Sequence, residues 1–200
     1  VDGESFLYFY HLLSILLFPF VSKIGDGIMK EIELSKNLFV VKASVVNFPS
    51  DAIVNAANKT LLGGGGVDGA IHQAAGPKLL EACKKLHGCE TGQAKITYSF
   101  DLATCKYIIH TVGPVFKLSQ SPKKELQACY KNSLDLAMKY KCRSVAFSGI
   151  STGVYGYPID QAASVASEVV KQWLEKHNFA IKVIFCCYRD SEYKAYTKLI

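Results

Sequence analysis

The chain has 200 residues, 50% of them hydrophobic and 20% charged. That balance excludes a disordered segment and suits a single domain with its own core. Basic residues outnumber acidic ones 23 to 17, for a net charge of +6, without any block of lysines. The surplus reads as a solvated surface with a mild attraction for phosphate-like anions; direct nucleic-acid binding is not expected.

In chain order, the first feature is the apolar run "FLYFYHLLSILLFPF", Phe6 to Phe20. It falls short of the roughly 20 residues of a membrane span, and it lacks the basic start and small-residue cleavage site of a signal peptide. It is read as a packed helix, a membrane or targeting remnant, or a translation of non-coding sequence. A membrane contact through residues 6–20 is therefore an expectation with no support elsewhere in the chain. "GDG" at Gly25 to Gly27 marks a turn and a boundary, dividing residues 1–27 from a folded unit over 28–200.

Beyond that boundary, strand and helix patterns alternate. "NLFVVKA" and "DAIVNAA" read as strands; "VDGAIHQAAG" and "PKLLEACKKL" read as helices, the second opened by Pro77. "AKITYSF" and "KYIIHTVGP" are β-branched runs that end at Gly113-Pro114. A long amphipathic helix follows over "SPKKELQACYKNSLDLAMKYK", its apolar positions Leu126, Cys129, Tyr130, Leu134 and Ala137. "SVAFSGI" is a strand, "DQAASVASEVVKQWLEKH" a helix, "IKVIFCCY" a strand and "SEYKAYTKLI" the last helix. The alternation predicts an α/β protein with a largely parallel sheet covered on both faces. The 7 cysteines form no C-x-x-C pair and no zinc spacing. They are expected as reduced thiols in a cytoplasmic or nuclear setting, with no metal and no cofactor.

Ligands of such sheets sit beyond the carboxyl ends of the strands. Three loops there are glycine-rich or polar: "NAANKTLLGGGG", "TVGP" and "SGISTGVYGYP". Glycines let backbone N–H groups approach an anion, and a helix N-terminus follows Gly63 to Gly66. No Lys follows these glycines, which excludes a P-loop. Gly64, Gly66 and Gly69 satisfy G-x-G-x-x-G, but eight residues separate Val54 from Gly63, too many for the tight dinucleotide turn. Gly149, Ser151 and Gly153 satisfy the G-x-S-x-G of serine esterases, yet a loop follows where that elbow needs a helix. A second phosphate loop fits better: glycine N–H groups, the Ser151 and Thr152 hydroxyls, and Tyr155 as a cover. Two such loops on one rim suit a diphosphate of nucleotide-sugar type.

"DAIVNAANKTLLGGGGVDGAIHQAAGP", "HTVGP" and "ISTGVYGYP" together resemble the MacroD-type branch of the macrodomain family, over roughly residues 32–200. The resemblance implies a three-layer α/β/α sandwich with a mixed, largely parallel sheet. It implies binding of ADP-ribose and O-acetyl-ADP-ribose, removal of ADP-ribose from acidic side chains of mono-ADP-ribosylated proteins, and deacetylation of O-acetyl-ADP-ribose. The alternative is a reader module that binds without cleaving.

By position, the resemblance makes Asn58 the distal-ribose asparagine and Asp68 the catalytic aspartate, with His72 one helical turn later. Gly64, Gly65, Gly66 and Val67 would line the distal ribose. Ser151, Thr152, Gly153, Val154 and Tyr155 would wrap the diphosphate. Val45, Ile53 and Asn55 would complete the binding set. Ser44 stands where the family carries an aspartate for the adenine amino group, and stacking on Tyr188 is a second way to hold adenine. The residues themselves allow a plainer role for each: a turn for Asn58, a helix cap for Asp68, a core histidine at His72.

Overall fold

The structure is a computed structural model that describes residues 21–24 and 27–200; the Phe6 to Phe20 segment lies outside the described residues. Val21–Ile24 (β1) and Gly27–Lys30 (β2) pair antiparallel as a separate two-stranded sheet, with Ile24 opposite Gly27.

The central sheet has seven strands: Ile32–Ser35 (β3), Leu38–Lys42 (β4), Ala52–Ala57 (β5), Ala94–Tyr98 (β6), Tyr107–Val112 (β7), Ser144–Phe147 (β8) and Lys182–Cys187 (β9). Their order is β3-β4-β9-β8-β5-β7-β6. The inner five run parallel; β3 and β6 close the edges antiparallel. The sheet is therefore mixed and largely parallel, as the alternating pattern predicts. Strand β3 is an addition to that pattern. Its "IELS" carries only one buried side chain, Leu34, because an edge strand needs to cover only one face.

Period-two alternation divides the strand side chains between two cores. Val40, Val54, Ile109, Val145, Phe147, Val183 and Phe185 face one side. Val41, Ile53, Ile108, Ala146, Ile184 and Cys186 face the other. Cys186 and Cys187 thus point to opposite faces, and all seven thiols are free. The first face is covered by Pro122–Lys139 (α3), Ile159–Lys176 (α4) and Asp190–Thr197 (α5). The second is covered by Gly66–Ala75 (α1), Pro77–Lys84 (α2) and a short 3₁₀ turn at Val45–Asn47. The result is the three-layer sandwich.

Helix positions follow the apolar spacing. All five apolar residues read from α3 are buried. Trp173 on α4 donates its indole N–H to Asp135 of α3 at 2.7 Å, which ties the two helices across the face. Gly76 joins α1 to α2 with φ +74°, a conformation that caps one helix and lets Pro77 start the next at once.

Under α3, α4 and α5 lies an aromatic cluster. Tyr130 and Phe147 rings are 5.0 Å apart, and Phe185 stacks on Tyr196 at 4.4 Å. Phe147 is 1% exposed and ends strand β8 directly beneath the loop that begins at Ser148. Phe147→Ala should therefore lower the unfolding free energy by about 3–5 kcal/mol, the usual cost of truncating a buried phenylalanine. Urea midpoints at constant slope would measure it.

Candidate functional site

The parallel inner strands all end on one rim, so the segments after Lys42, Ala57, Val112, Phe147 and Cys187 meet there. A cleft of about 290 Å³ opens among them, lined by Asn58, Gly64 to Asp68, Gly113, Gly149, Ser151, Gly153, Val154 and Tyr155. A wider, shallower groove of about 640 Å³ lies between α3 and α4, with Lys123, Lys124 and Gln161 on its walls. The smaller cleft is the candidate site, because the two glycine-rich loops close on it.

The first wall is the segment from Asn58 to Gly65. Asn58 organises it. Its Oδ1 accepts from the Thr60 N–H at 3.0 Å and the Thr60 hydroxyl at 2.6 Å, and its Nδ2 donates to the Gly63 carbonyl at 2.8 Å. The turn therefore occupies the amide oxygen, and Asn58 offers the cleft its second Nδ2 hydrogen. Gly64 passes between Asn58 and Asp68. A Cβ there would lie 3.1 Å from Asp68 Oδ2 and 3.3 Å from Asn58 Nδ2. The bare loop brings an amide donor and a carboxylate acceptor to the two sides of one glycine.

Asp68 lies in the first turn of α1, whose N-cap is Gly65 without a side-chain cap bond. The aspartate turns inward instead of capping. It is 4% exposed, and its Oδ1 accepts from Asn55 Nδ2 at 2.6 Å. Its Oδ2 is buried with no partner among the described residues. His72 follows one turn later with Nε2 3.6 Å from Asp68 Oδ1, too far for a hydrogen bond, and its ring packs against Gly63. It borders Asp68 from outside the cleft lining.

The second wall is the loop from Ser148 to Tyr157. Ser148 anchors it by donating to the Val54 carbonyl at 2.9 Å. Tyr157 N–H donates to the Ser151 carbonyl at 2.9 Å, and Phe116 N–H to the Tyr155 carbonyl at 2.9 Å. Among the described residues no backbone acceptor takes up the N–H groups of Gly153, Val154 or Tyr155. Val154 is fully exposed at the tip. The loop is braced from behind. Thr152 donates its hydroxyl to Glu192 Oε1 at 2.9 Å, and Arg189 Nη2 reaches both the Thr152 carbonyl at 2.8 Å and Glu192 Oε1 at 2.6 Å. Burial opposes ionisation of Glu192, but donation from Arg189 and Thr152 outweighs it and holds the carboxyl below its ordinary range. The Thr152 side chain is thus turned to α5, away from the cleft.

The remaining residues singled out in the sequence fall in two places. Ser44 and Tyr188 stand just past the ends of neighbouring strands β4 and β9, where Ala43 N–H donates to the Cys187 carbonyl at 3.1 Å. Strand β4 lies three strand spacings from β5, roughly 14 Å along the rim, the reach of an extended two-ring diphosphate. Val45 and Ile53 are buried in the α1–α2 core, and Asn55 lies beneath Asp68 at 0% exposure.

Among the described residues, serine-esterase chemistry finds no machinery at Ser151. Ser151 Oγ is buried without a partner among the described residues. His177, the histidine such a reading needs, stacks on Trp173 at the far end of the 18-residue α4, roughly 27 Å from its start.

Sequence reasoning missed His110, on β7. The parallel register sets it beside Asn55, and both are fully buried. The signal was present: Asn55 in the buried run "AIVNAA" and His110 in the buried run "YIIHTV" each demand a partner. It also missed Glu192 and Arg189, whereas Gly113 belongs to the "TVGP" loop expected on the rim and lines the cleft. A Cβ on Gly113 would lie 2.7 Å from the Ile150 methyl and against Ser151 Oγ.

Residues 54–166 match the family described as Macro domain. A macro domain-containing protein of Chlorobaculum tepidum, CT2219, is 52% identical over 164 residues, covering 82% of this chain and 95% of that protein. The chain belongs to the macro domain family. Within it, human ADP-ribose glycohydrolase MACROD2 is 48% identical over 168 residues, and the chain spans 82% of itself but only 39% of that protein. A solved structure of a Trypanosoma brucei macrodomain in complex with ADP-ribose superposes with a TM-score of 0.76 at 43% identity, over 81% of this chain and 68% of that one.

Inside this macro domain, burial, and then the neighbouring His72, lower the His110 pKa from 6.5 to about 3. Between those values the unfolded chain binds a proton at this position that the folded chain refuses. Folding stability from this group is complete above about pH 6.5 and is lost as pH falls, at up to about 1.4 kcal/mol per pH unit. The stability gap between wild type and His110→Asn should therefore narrow from about pH 7 to about pH 4. Parallel urea midpoints across that range would contradict it.

Proposed function

We propose that this macro domain hydrolyses the ester between ADP-ribose and acidic side chains of proteins, and that it also deacetylates O-acetyl-ADP-ribose. The observation that carries the reading is Asp68 Oδ2: a buried carboxylate oxygen with no partner among the described residues, facing Asn58 Nδ2 across Gly64. An unpaired buried acceptor is costly, and a ligand hydroxyl or water removes that cost. A module that only held ADP-ribose would need the phosphate loop but no such acceptor at the distal ribose. The likeness to ADP-ribose glycohydrolases and to a macrodomain that holds ADP-ribose supports the same reading.

Adenine lies at the Ser44 and Tyr188 end of the rim. The diphosphate lies over β8, held by the N–H groups of the Gly153 to Tyr155 segment and by the glycines of the opposite loop. The distal ribose reaches β5, against Gly64, Gly65, Gly66 and Val67. There Asn58 donates to the sugar and Asp68 Oδ2 orients a ribose hydroxyl or the attacking water. Water is divided between the two products, free ADP-ribose and the released carboxylic acid. Ser151 has no part as a nucleophile.

Asp68→Ala leaves the diphosphate grip intact, so ADP-ribose should bind within about tenfold of wild type. Release of label from a protein ADP-ribosylated on glutamate should slow by at least about a hundredfold. Asn58→Ala should slow it too, and the double variant should lose less than the two losses combined, since both groups act on one ribose. Hydrolysis at the wild-type rate by Asp68→Ala would leave a reader module.

Ser44 tests the adenine end. Its side chain makes no cap bond to the 3₁₀ turn that follows, so it is available to a ligand. Ser44→Asp should tighten ADP-ribose binding by about 1–2 kcal/mol, the scale of a charge-assisted hydrogen bond. Calorimetry showing no gain would place adenine against Tyr188 instead.

A further inference from the structure

We infer that His110 is a positioning residue for this site: held with its proton on Nε2, it fixes the amide of Asn55 and thereby leaves Asp68 Oδ2 as the free acceptor. The inference rests on the reading of Asp68 as the group that acts on the ribose ester.

The geometry runs in a line through the buried layer beneath the cleft. Thr97 Oγ1 lies 3.0 Å from His110 Nε2. Asn55 Nδ2 lies 3.2 Å from His110 Nδ1 and 2.6 Å from Asp68 Oδ1. His110 and Asn55 are both at 0% exposure, so bulk solvent does not arbitrate among them.

An asparagine amide can present either its NH₂ or its oxygen to a neighbour, and nothing in Asn55 itself decides which. With the NH₂ group forward, one N–H goes to Asp68 and the other to His110. That requires a lone pair on Nδ1, hence the proton on Nε2, where Thr97 accepts it. In the opposite tautomer an Nδ1 proton would face the Asn55 NH₂, donor against donor. The amide would then turn over and set its oxygen against the Asp68 carboxylate. The histidine tautomer therefore dictates the amide, and the amide dictates which aspartate oxygen is held and which is left open. Asn55 Oδ1 is left without a partner among the described residues; the arrangement keeps both donors at the expense of that acceptor.

The Nδ1 lone pair must persist at working pH. The groups that face His110 are Asn55 on β5, Thr97 on β6, Asp68 and His72 on α1, and Cys83 on α2, with Cys83 Sγ 3.8 Å from Nε2. Burial, with Asp68 adding to it, pushes the Cys83 thiol up to about 11, so it stays protonated and supplies no anion to draw a second proton onto the ring. Burial and the proximity of His72 keep the ring neutral.

Two measurements decide the matter. In the wild-type protein, ¹⁵N resonances of the His110 ring should report protonated Nε2 and unprotonated Nδ1 throughout roughly pH 5 to 9. A ring protonated on Nδ1 overturns the inference, and this readout is independent of any enzymatic activity. The second compares variants on an ADP-ribosylated glutamate ester. His110→Asn places an amide oxygen near the site of Nδ1 and keeps an acceptor for Asn55; His110→Gln moves the amide to the site of Nε2 and removes it. His110→Gln should lower kcat by about tenfold or more, the scale of a misplaced reacting group, while ADP-ribose Kd stays within about threefold and His110→Asn retains most of the rate. Thr97→Val, which loses only the Nε2 partner, should lower kcat less and admit the second tautomer to the spectrum. Equal loss in the two His110 variants, or none in His110→Gln, would reduce His110 to a core residue. Absence of hydrolysis in the wild type would instead defeat the proposed function, and the tautomer would still be read from the resonances.

Discussion

The parallel pairing of β5 between β8 and β7 is the constraint on which the site depends. It sets Asn55 beside His110 and brings the ends of Ala57, Val112 and Phe147 to one rim. A parallel strand with apolar layers on both faces has few places for a polar side chain, so Asn55 Nδ2 and His110 Nδ1 pair across the ladder. Asp68 then comes down from α1 onto Asn55. A slip of one residue would send Asn55 to the α3–α4 face and leave Asp68 above hydrocarbon.

The two loops that close the cleft are stiffened in different ways. The Asn58 loop holds itself through the turn that Asn58 makes with Thr60 and Gly63. The Ser148 to Tyr157 loop depends on other elements: β5 through Ser148, the Phe116 backbone, and the Arg189–Glu192 pair at the start of α5. Glu192 accepts from Arg189 and Thr152 together. Its low accessibility makes these bonds stronger than surface contacts of the same length. Gly149 is part of the same arrangement, since a Cβ there would lie 2.6 Å from Thr152 Oγ1 and 2.8 Å from Glu192 Oε1.

Much of this architecture was legible in the chain. The buried runs ending in glycine-rich loops give the parallel sheet and the rim, and the spacing of Leu126, Cys129, Tyr130, Leu134 and Ala137 gives α3 its buried face. Strand β3 escaped because an edge strand half in solvent has no clear alternation. At the site, Asn58, Asp68 and the two loops stand out locally, through glycines and turn chemistry. His110, Thr97 and Glu192 come from three distant segments and act only through tertiary contacts, so no local spacing announces them. The motif letters also do not say how hydrogen bonds are shared. The engagement of Asn58 Oδ1 with Thr60, and of Thr152 with Glu192, is a property of the folded loops.

The brace behind the second loop gives the last helix a role out of proportion to its size. Asp190–Thr197 is only eight residues long, and neither Arg189 nor Glu192 lines the cleft. Yet it is the scaffold on which the Gly153 to Tyr155 backbone is hung. A polypeptide ending before Arg189 would retain Asn58, Asp68, His72 and every glycine of both loops, and would still lack the surface that gives the second loop its shape. The boundary of the working unit is therefore set by mechanical support, through Arg189 and Glu192, and not by the residues that line the cleft.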